Sequence, residues 1–197
     1  MTSFSLALPK DKPLFLKESD FIGKGNERAC YTNPLNRDLC VKVQRRKHRS
    51  QNKIEKYYYT KLKKRKNLSP FLSEFYGEVT TNMGEGLVFE KVTDNDGTSS
   101  QSIYSLLKNK IISETEAKEI LGTVFQDLYK NAILLGDVTK DQILLKKTEN
   151  GYVPKIIDGL GTRRYGLKLF LVSNIKAFAR FKLVKRWKTL EHSLGMA

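Results

Sequence analysis

The order of segments along the 197-residue chain predicts a two-lobed α+β fold. Three observations carry this. Short strand-like runs dominate up to Val92, an Asp94-Asn95-Asp96-Gly97 turn follows, and the rest reads as helical apart from one hairpin. The expected divisions are an N-terminal extension over residues 1–20, a strand-rich lobe over 21–92 and a helical lobe over 93–197. A composition of 40% hydrophobic residues is enough for a core without covalent staples.

In the first lobe, Ser19–Ile22, Leu39–Val43, Phe75–Thr80 and Gly86–Val92 carry strand-forming residues bounded by Gly, Pro and Asn. A helix over about Gln51 to Lys64 interrupts them, because Ile54, Tyr57, Tyr58 and Leu62 share one face, with Glu55 at its edge. In the second lobe, Ser113-x-x-Glu116 opens a helix whose apolar stripe runs through Ala117, Ile120, Leu121, Val124, Phe125 and Leu128. Ile143–Lys146 and Val153–Ile157, joined through Asn150-Gly151, predict a hairpin. The final helix, Leu169 to Leu194, has two apolar faces. Leu171, Ile175 and Phe178 share one; Leu183, Trp187, Leu190 and Leu194 share the other. A kink near Ala179–Lys182, or a change of packing neighbours, would reconcile them.

The 36 Lys+Arg exceed the 21 Asp+Glu, for a net charge of +15, which points to an anionic partner. The charge is concentrated. Arg45 to Lys66 holds eleven Lys/Arg against Glu55 alone, and Arg163 to Lys188 holds nine with no acid. Cys30 and Cys40, with His48 and His192 isolated, exclude zinc spacing and a disulfide framework. Two free thiols suit a reducing compartment, and Met1–Asp20 lacks the apolar run of a secretory signal. The expected location is therefore the cytoplasm.

Four stretches could carry chemistry. Ile22-Gly23-Lys24-Gly25-Asn26-Glu27-Arg28-Ala29 follows a strand, and glycines two apart let backbone amides approach a phosphate, although an ordinary hairpin turn has the same look. Lys24, Asn26 and Arg28 would bias that loop toward anions. Lys42 sits inside an apolar strand, where an unpaired ammonium is costly, and Glu55 is the acid available in the basic helix that follows. Asp137 lies between apolar runs with Gln142 five residues on, just before a strand. Asp158 ends an apolar strand ahead of Gly159, a suitable hard-metal ligand.

In series these stretches resemble the protein-kinase signature set. More closely, Ile-Gly-x-Gly, then Cys-Tyr-Thr-Asn-Pro, Cys-Val-Lys-Val, Glu55 with Tyr57-Tyr58, Tyr76-Gly77 and Val88-Phe89-Glu90 resemble the YrbL family. These are small bacterial kinase-like proteins of the PhoP regulatory network, similar in pattern to lipopolysaccharide core sugar kinases. The resemblance implies a minimal protein-kinase-like fold, with an antiparallel-sheet N-lobe, a mainly helical C-lobe and nucleotide in the cleft between them. It implies ATP and Mg2+ as cofactors, with nucleotide bound by Gly23, Lys24, Gly25, Lys42 and Glu90. Lys42, held by Glu55, would contact phosphates, Asp137 would accept the proton of an attacking hydroxyl, and Asp158 and Gln142 would hold magnesium.

The sequence departs from the kinase pattern in several places. Gln142 stands where asparagine is usual, Leu135 where histidine is usual, and Arg28 or Ala29 replaces the third glycine. Asp-Gly-Leu replaces Asp-Phe-Gly. Fewer than forty residues follow Asp158, without an Ala-Pro-Glu element, so a small or lipid-linked hydroxyl compound is the expected acceptor. The basic final helix could grip a phosphorylated substrate, or lie peripherally on the anionic inner face of the cytoplasmic membrane. The preferred reading is thus an ATP-dependent phosphotransferase, with an envelope glycolipid as one expected acceptor. A catalytically weak or inactive kinase-like regulator and a basic nucleic-acid-binding protein are the alternatives.

Overall fold

A computed structural model describes residues 12–46 and 51–196. Residues 1–11 of the expected extension, and 47–50 with His48 of the first basic run, lie outside the described residues. The fold is α+β, and its larger sheet is antiparallel, as expected. The chain divides into two compact units, Met1–Lys56 with Glu74–Lys91, and Tyr57–Ser73 with Val92–Ala197.

The first unit is built on five strands: β1 (Phe21–Lys24), β2 (Arg28–Thr32), β3 (Leu39–Gln44), β4 (Phe75–Thr81) and β5 (Gly84–Glu90), in the order β1-β2-β3-β5-β4. The central position of β3 explains why Leu39 to Val43 are all buried. Strand alternation gives the two faces of the sheet different chemistry. Ala29, Tyr31, Leu39, Val41 and Val43 share one core with Val79, Val88 and two residues ahead of the sheet, Leu14 and Leu16. Leu14 donates its backbone N–H to Thr80 O at 2.7 Å, and Asn82 Oδ1 accepts from Leu16 N at 2.8 Å. On the opposite face the register places Arg28 beside Gln44 and Cys30 beside Lys42. That polar face receives Glu55 of α1 (Gln51–Lys64).

The helix α1 keeps its expected bounds, but its buried face is rotated. Tyr58 and Tyr59 are buried with Ile54 and Leu62, whereas Tyr57 is half-buried and meets Tyr165 edge-on at 6.0 Å. The reason is polar. Tyr58 accepts a hydrogen bond from Leu134 N at 2.8 Å, and Tyr59 donates to Ser73 O at 2.9 Å. Burial pushes the Tyr58 hydroxyl up from 10.0 to about 12, against smaller opposing effects of the Leu134 amide and Arg65. A pKa raised in the folded state means that folding favours the neutral phenol. That contribution is intact below about pH 10 and is lost as pH rises toward 12. Tyr58→Phe is expected to cost about 1–3 kcal/mol by orphaning the Leu134 amide. It should also flatten the decline in stability across this alkaline window, measured by urea unfolding at stepped pH.

The second unit holds β6 (Gln101–Ser102), β7 (Ile143–Thr148) and β8 (Gly151–Ile156) in one antiparallel sheet, with α2 (Ile103–Lys108), α3 (Glu114–Asn131), α4 (Leu167–Asn174) and α5 (Lys176–Ser193). Ser113 caps α3 by accepting from Glu116 N at 3.1 Å, and Ala117, Leu121, Val124 and Leu128 are buried as the stripe predicts. Arg180 of α5 donates to Tyr129 O and Lys130 O at 2.9 and 3.0 Å, answering the carbonyls at the C-terminal end of α3.

The expected final helix is two helices. Ile175, extended at φ −113° and ψ 102°, ends α4 and begins α5, so the break falls ahead of the expected Ala179–Lys182 position. It resets the helical phase. Leu169 and Val172 are buried in α4, Ala179, Leu183, Trp187 and Leu190 form the α5 stripe, and Ile175 is 47% exposed. Trp187 is buried and donates to Glu191 Oε1 at 3.0 Å. Among the described residues no helix is long and apolar enough to cross a membrane.

Candidate active site

In the first unit, the strand lysine and helix glutamate meet as their spacing suggests. Lys42 Nζ lies 3.6 Å from Glu55 Oε1, and the ammonium sits 3.9 Å from the Phe89 ring centroid. Only 1% of Glu55 and 7% of Lys42 is exposed, so this pair is desolvated. Arg28 was expected to point an anion-binding group from the glycine loop. Instead it opens β2, is buried, and its Nη1 pairs with Glu55 Oε2. The two cations therefore divide the carboxylate between them, one on each oxygen. Cys40 lies on the same face, its thiol pushed up by a hydrogen bond with Cys30 and then by burial, which leaves it inert.

The glycine loop is a tight connection between β1 and β2, closed by Gly25 N donating to Arg28 O at 2.9 Å. Neither Gly23 nor Gly25 has positive φ, and a Cβ on either would meet nothing within 4 Å. The fold itself therefore does not demand glycine there. The open space above the turn is what an approaching phosphate would use. Lys24 is exposed at the end of β1. Glu90 ends β5, where its backbone N–H donates to Glu74 O at 2.9 Å and its Oε2 accepts from Glu74 N at 3.2 Å.

In the second unit, the segments bearing Asp137 and Asp158 are laced backbone to backbone. Gly136 N donates to Gly159 O at 2.9 Å, Gly161 N donates to Leu134 O at 2.9 Å, and Leu135 bridges Leu160. Two glycines make this approach achievable. A Cβ at Gly136 would lie 2.0 Å from Gly161 O, and Gly159, at φ +90°, would place one 2.7 Å from Val138 N. Asp158 Oδ1 accepts from Gly159 N at 2.7 Å. Ile157 N donates to Gln142 O at 3.0 Å, so the residues expected to hold magnesium are joined to neighbouring backbone segments.

A carboxylate and a side-chain amide are hard oxygen donors of the kind that magnesium takes. Among the described residues, no three His, Cys, Asp or Glu gather at a metal site. Gln142 Oε1 also accepts from Thr139 N at 2.8 Å, which closes the loop between Asp137 and β7.

Asp137 has a partner that local sequence reading missed. Arg163 Nε and Nη2 both reach Asp137 Oδ1, at 2.6 and 2.5 Å. Two donors on one oxygen orient the carboxylate. The available signal was the acid-free run beginning at Arg163, which leaves its first guanidinium in need of an anion. A cavity of about 480 Å3 opens beside this pair, lined by Thr139, Lys140, Asp141 and Arg186 among others.

The family model described as PhoP regulatory network protein YrbL matches residues 14–195. The YrbL protein of Escherichia coli (strain K12) is 24% identical over 152 residues, covering 74% of this chain and 72% of that relative. The YrbL protein of Shigella flexneri gives the same identity and coverage. With the match spanning most of its length, the chain belongs to the PhoP regulatory network protein YrbL family.

Proposed function

We propose that the protein is a kinase-like phosphotransferase that moves the γ-phosphate of ATP to a hydroxyl of a small or lipid-linked acceptor, such as a lipopolysaccharide sugar. The observation that carries this reading is the buried Lys42–Glu55 pair. A desolvated ion pair contributes little net stability over apolar residues of similar volume, so a lysine held there by a carboxylate calls for a role beyond packing. In this reading Glu55 orients Lys42 toward the α- and β-phosphates, and the open turn at Gly23 and Gly25 offers amides to phosphate oxygens. Asp158 and Gln142 hold magnesium, which supplies charge neutralisation on the phosphates. Asp137, oriented by Arg163, takes the acceptor's proton. Such catalysis rests on positioning and electrostatics.

The test is nucleotide binding followed by thermal denaturation. ATP with magnesium at about a hundred times Kd is expected to raise Tm by roughly 5–10 °C. The shift should require magnesium and disappear in Asp158→Ala. Absence of any shift in the unaltered protein would sink the proposal.

A second reading, a nucleotide-binding regulator without turnover, is favoured by one feature. Gln142 Oε1 is engaged by Thr139 and Asp137 Oδ1 by Arg163, so both loop oxygens already serve the fold. The nucleic-acid reading loses its stacking platform, because Tyr58 and Tyr59 are buried and Tyr57 packs on Tyr165.

A further inference from the structure

The acid-free basic run from Arg163 is not spread over the surface of the second unit. Part of it converges on a cavity of about 350 Å3 that shares Gly136, Arg163 and Arg186 with the space beside Asp137 but is otherwise lined by different residues. Its floor is Leu134, the Gly161 backbone and Thr162, all buried, with the Thr162 hydroxyl already donating to Arg164 O at 2.7 Å. Around it stand Arg163, Arg164, Lys168, Lys182 and Arg186, and no Asp or Glu is among the lining residues. Gly166 and Leu167, where α4 begins, also line it, and α4 has no side-chain cap at its N-terminus.

Arg163 is paired with Asp137, while Arg164, Lys168, Lys182 and Arg186 face no acid among the lining residues. Partial burial, followed by the positive charges of Lys182, Arg186 and Arg163, lowers the Lys168 pKa from its ordinary value. Folding thus assembles cations that repel one another, at a cost that an anionic ligand would offset. The positive end of α4 adds a favourable field for the same ligand. The volume is at the small end for a ligand pocket, enough for a phosphorylated monosaccharide.

We propose that this cavity is a binding site for a phosphate monoester, held by Lys168, Lys182, Arg164 and Arg186, with the buried floor under the group that carries the phosphate. A guanidinium offers paired donors to phosphate oxygens, and the lysines supply point charge. The phosphate comes either from a soluble sugar phosphate or from a lipid headgroup. The site does not rest on the phosphotransferase reading, because it needs neither nucleotide nor metal.

Binding is measured by calorimetry on the full chain without nucleotide, with glucose 6-phosphate against glucose at matched ionic strength. A parallel arm uses co-sedimentation with vesicles containing phosphatidic acid. Lys168→Ala with Lys182→Ala is compared with Lys185→Ala with Lys188→Ala, which removes the same charge from residues that do not line the cavity. The expected result is binding of the phosphorylated probe, at least tenfold weaker in the first pair and nearly unchanged in the second. Glucose 6-phosphate binding identifies a soluble source. Capture by vesicles alone, lost in the same pair, identifies a headgroup. If neither probe binds, or both pairs weaken binding equally, the proposal is wrong, the latter outcome showing general attraction to a basic surface.

Discussion

Replacing Glu55 by alanine is expected to lower the stability of the first unit by about 3–5 kcal/mol, because it strands two buried cations at once. Arg28 and Lys42 are 6% and 7% exposed, and their register on β2 and β3 points both at the same carboxylate. The loss is mainly the cost of leaving charge in a desolvated place. Removing all three charges together, in Arg28→Met, Lys42→Met, Glu55→Leu, should therefore recover much of it. Urea unfolding with an unchanged slope would identify the effect as stability. The probe should be far-ultraviolet circular dichroism, since the single tryptophan, Trp187, belongs to the second unit. A loss in Glu55→Ala below about 1 kcal/mol, the range of exposed pairs, would show that solvent reaches this group.

The elements most legible in sequence were those with enough turns to display a period. The bounds of α1 and the Ser113 start of α3 could be read because their stripes span several turns. The pairing of Lys42 with Glu55 was readable by a different logic, since a strand lysine needs an acid and the following basic helix contains one. What stayed hidden was short or distant. The six residues of α2 are too few for a helical period, and β2 opens with an arginine that reads as a loop residue.

The break at Ile175 carries neither Gly nor Pro, so nothing local announces it; the two apolar faces showed that a break was needed, but not where. The exchange of Tyr57 for Tyr59 on the buried face of α1 goes with the bond from the Tyr59 hydroxyl to Ser73 O, 14 residues on and beyond the helix. The partner of Asp137 is 26 residues away, and the second cation on Glu55 is 27 residues away. Such contacts exist only once the backbone has brought them together. The residues of the site were thus recognisable one by one, while the groups that hold them in place were not.

Under the phosphotransferase proposal, Asp137→Asn is expected to reduce kcat by about 10²–10⁴-fold, the range for a group that moves a proton in the transition state. The substitution keeps size, shape and an Oδ1 that can still accept from Arg163, and Asp137 is only half-buried, so the loss of stability should stay in the range of an exposed pair, below about 1 kcal/mol. Both Arg163 contacts fall on Oδ1, which leaves Oδ2 as the oxygen that would receive the acceptor's proton. Arg163→Ala should then produce a smaller fall in kcat, because it removes orientation while leaving the base, and Arg163→Lys, which restores a cationic donor beside Oδ1, should recover part of it. That second readout separates a positioning role from a merely structural one.

Magnesium-dependent stabilisation by ATP should survive in Asp137→Asn, since the residue acts on the acceptor and not on the nucleotide. ATP consumption at the unaltered rate in Asp137→Asn would remove the residue from the chemistry. Stabilisation by ATP without turnover in the unaltered protein, under every acceptor tried including lipopolysaccharide sugars, would instead establish the regulator. In that molecule the Arg163–Asp137 and Thr139–Gln142 contacts would serve to hold the loop closed.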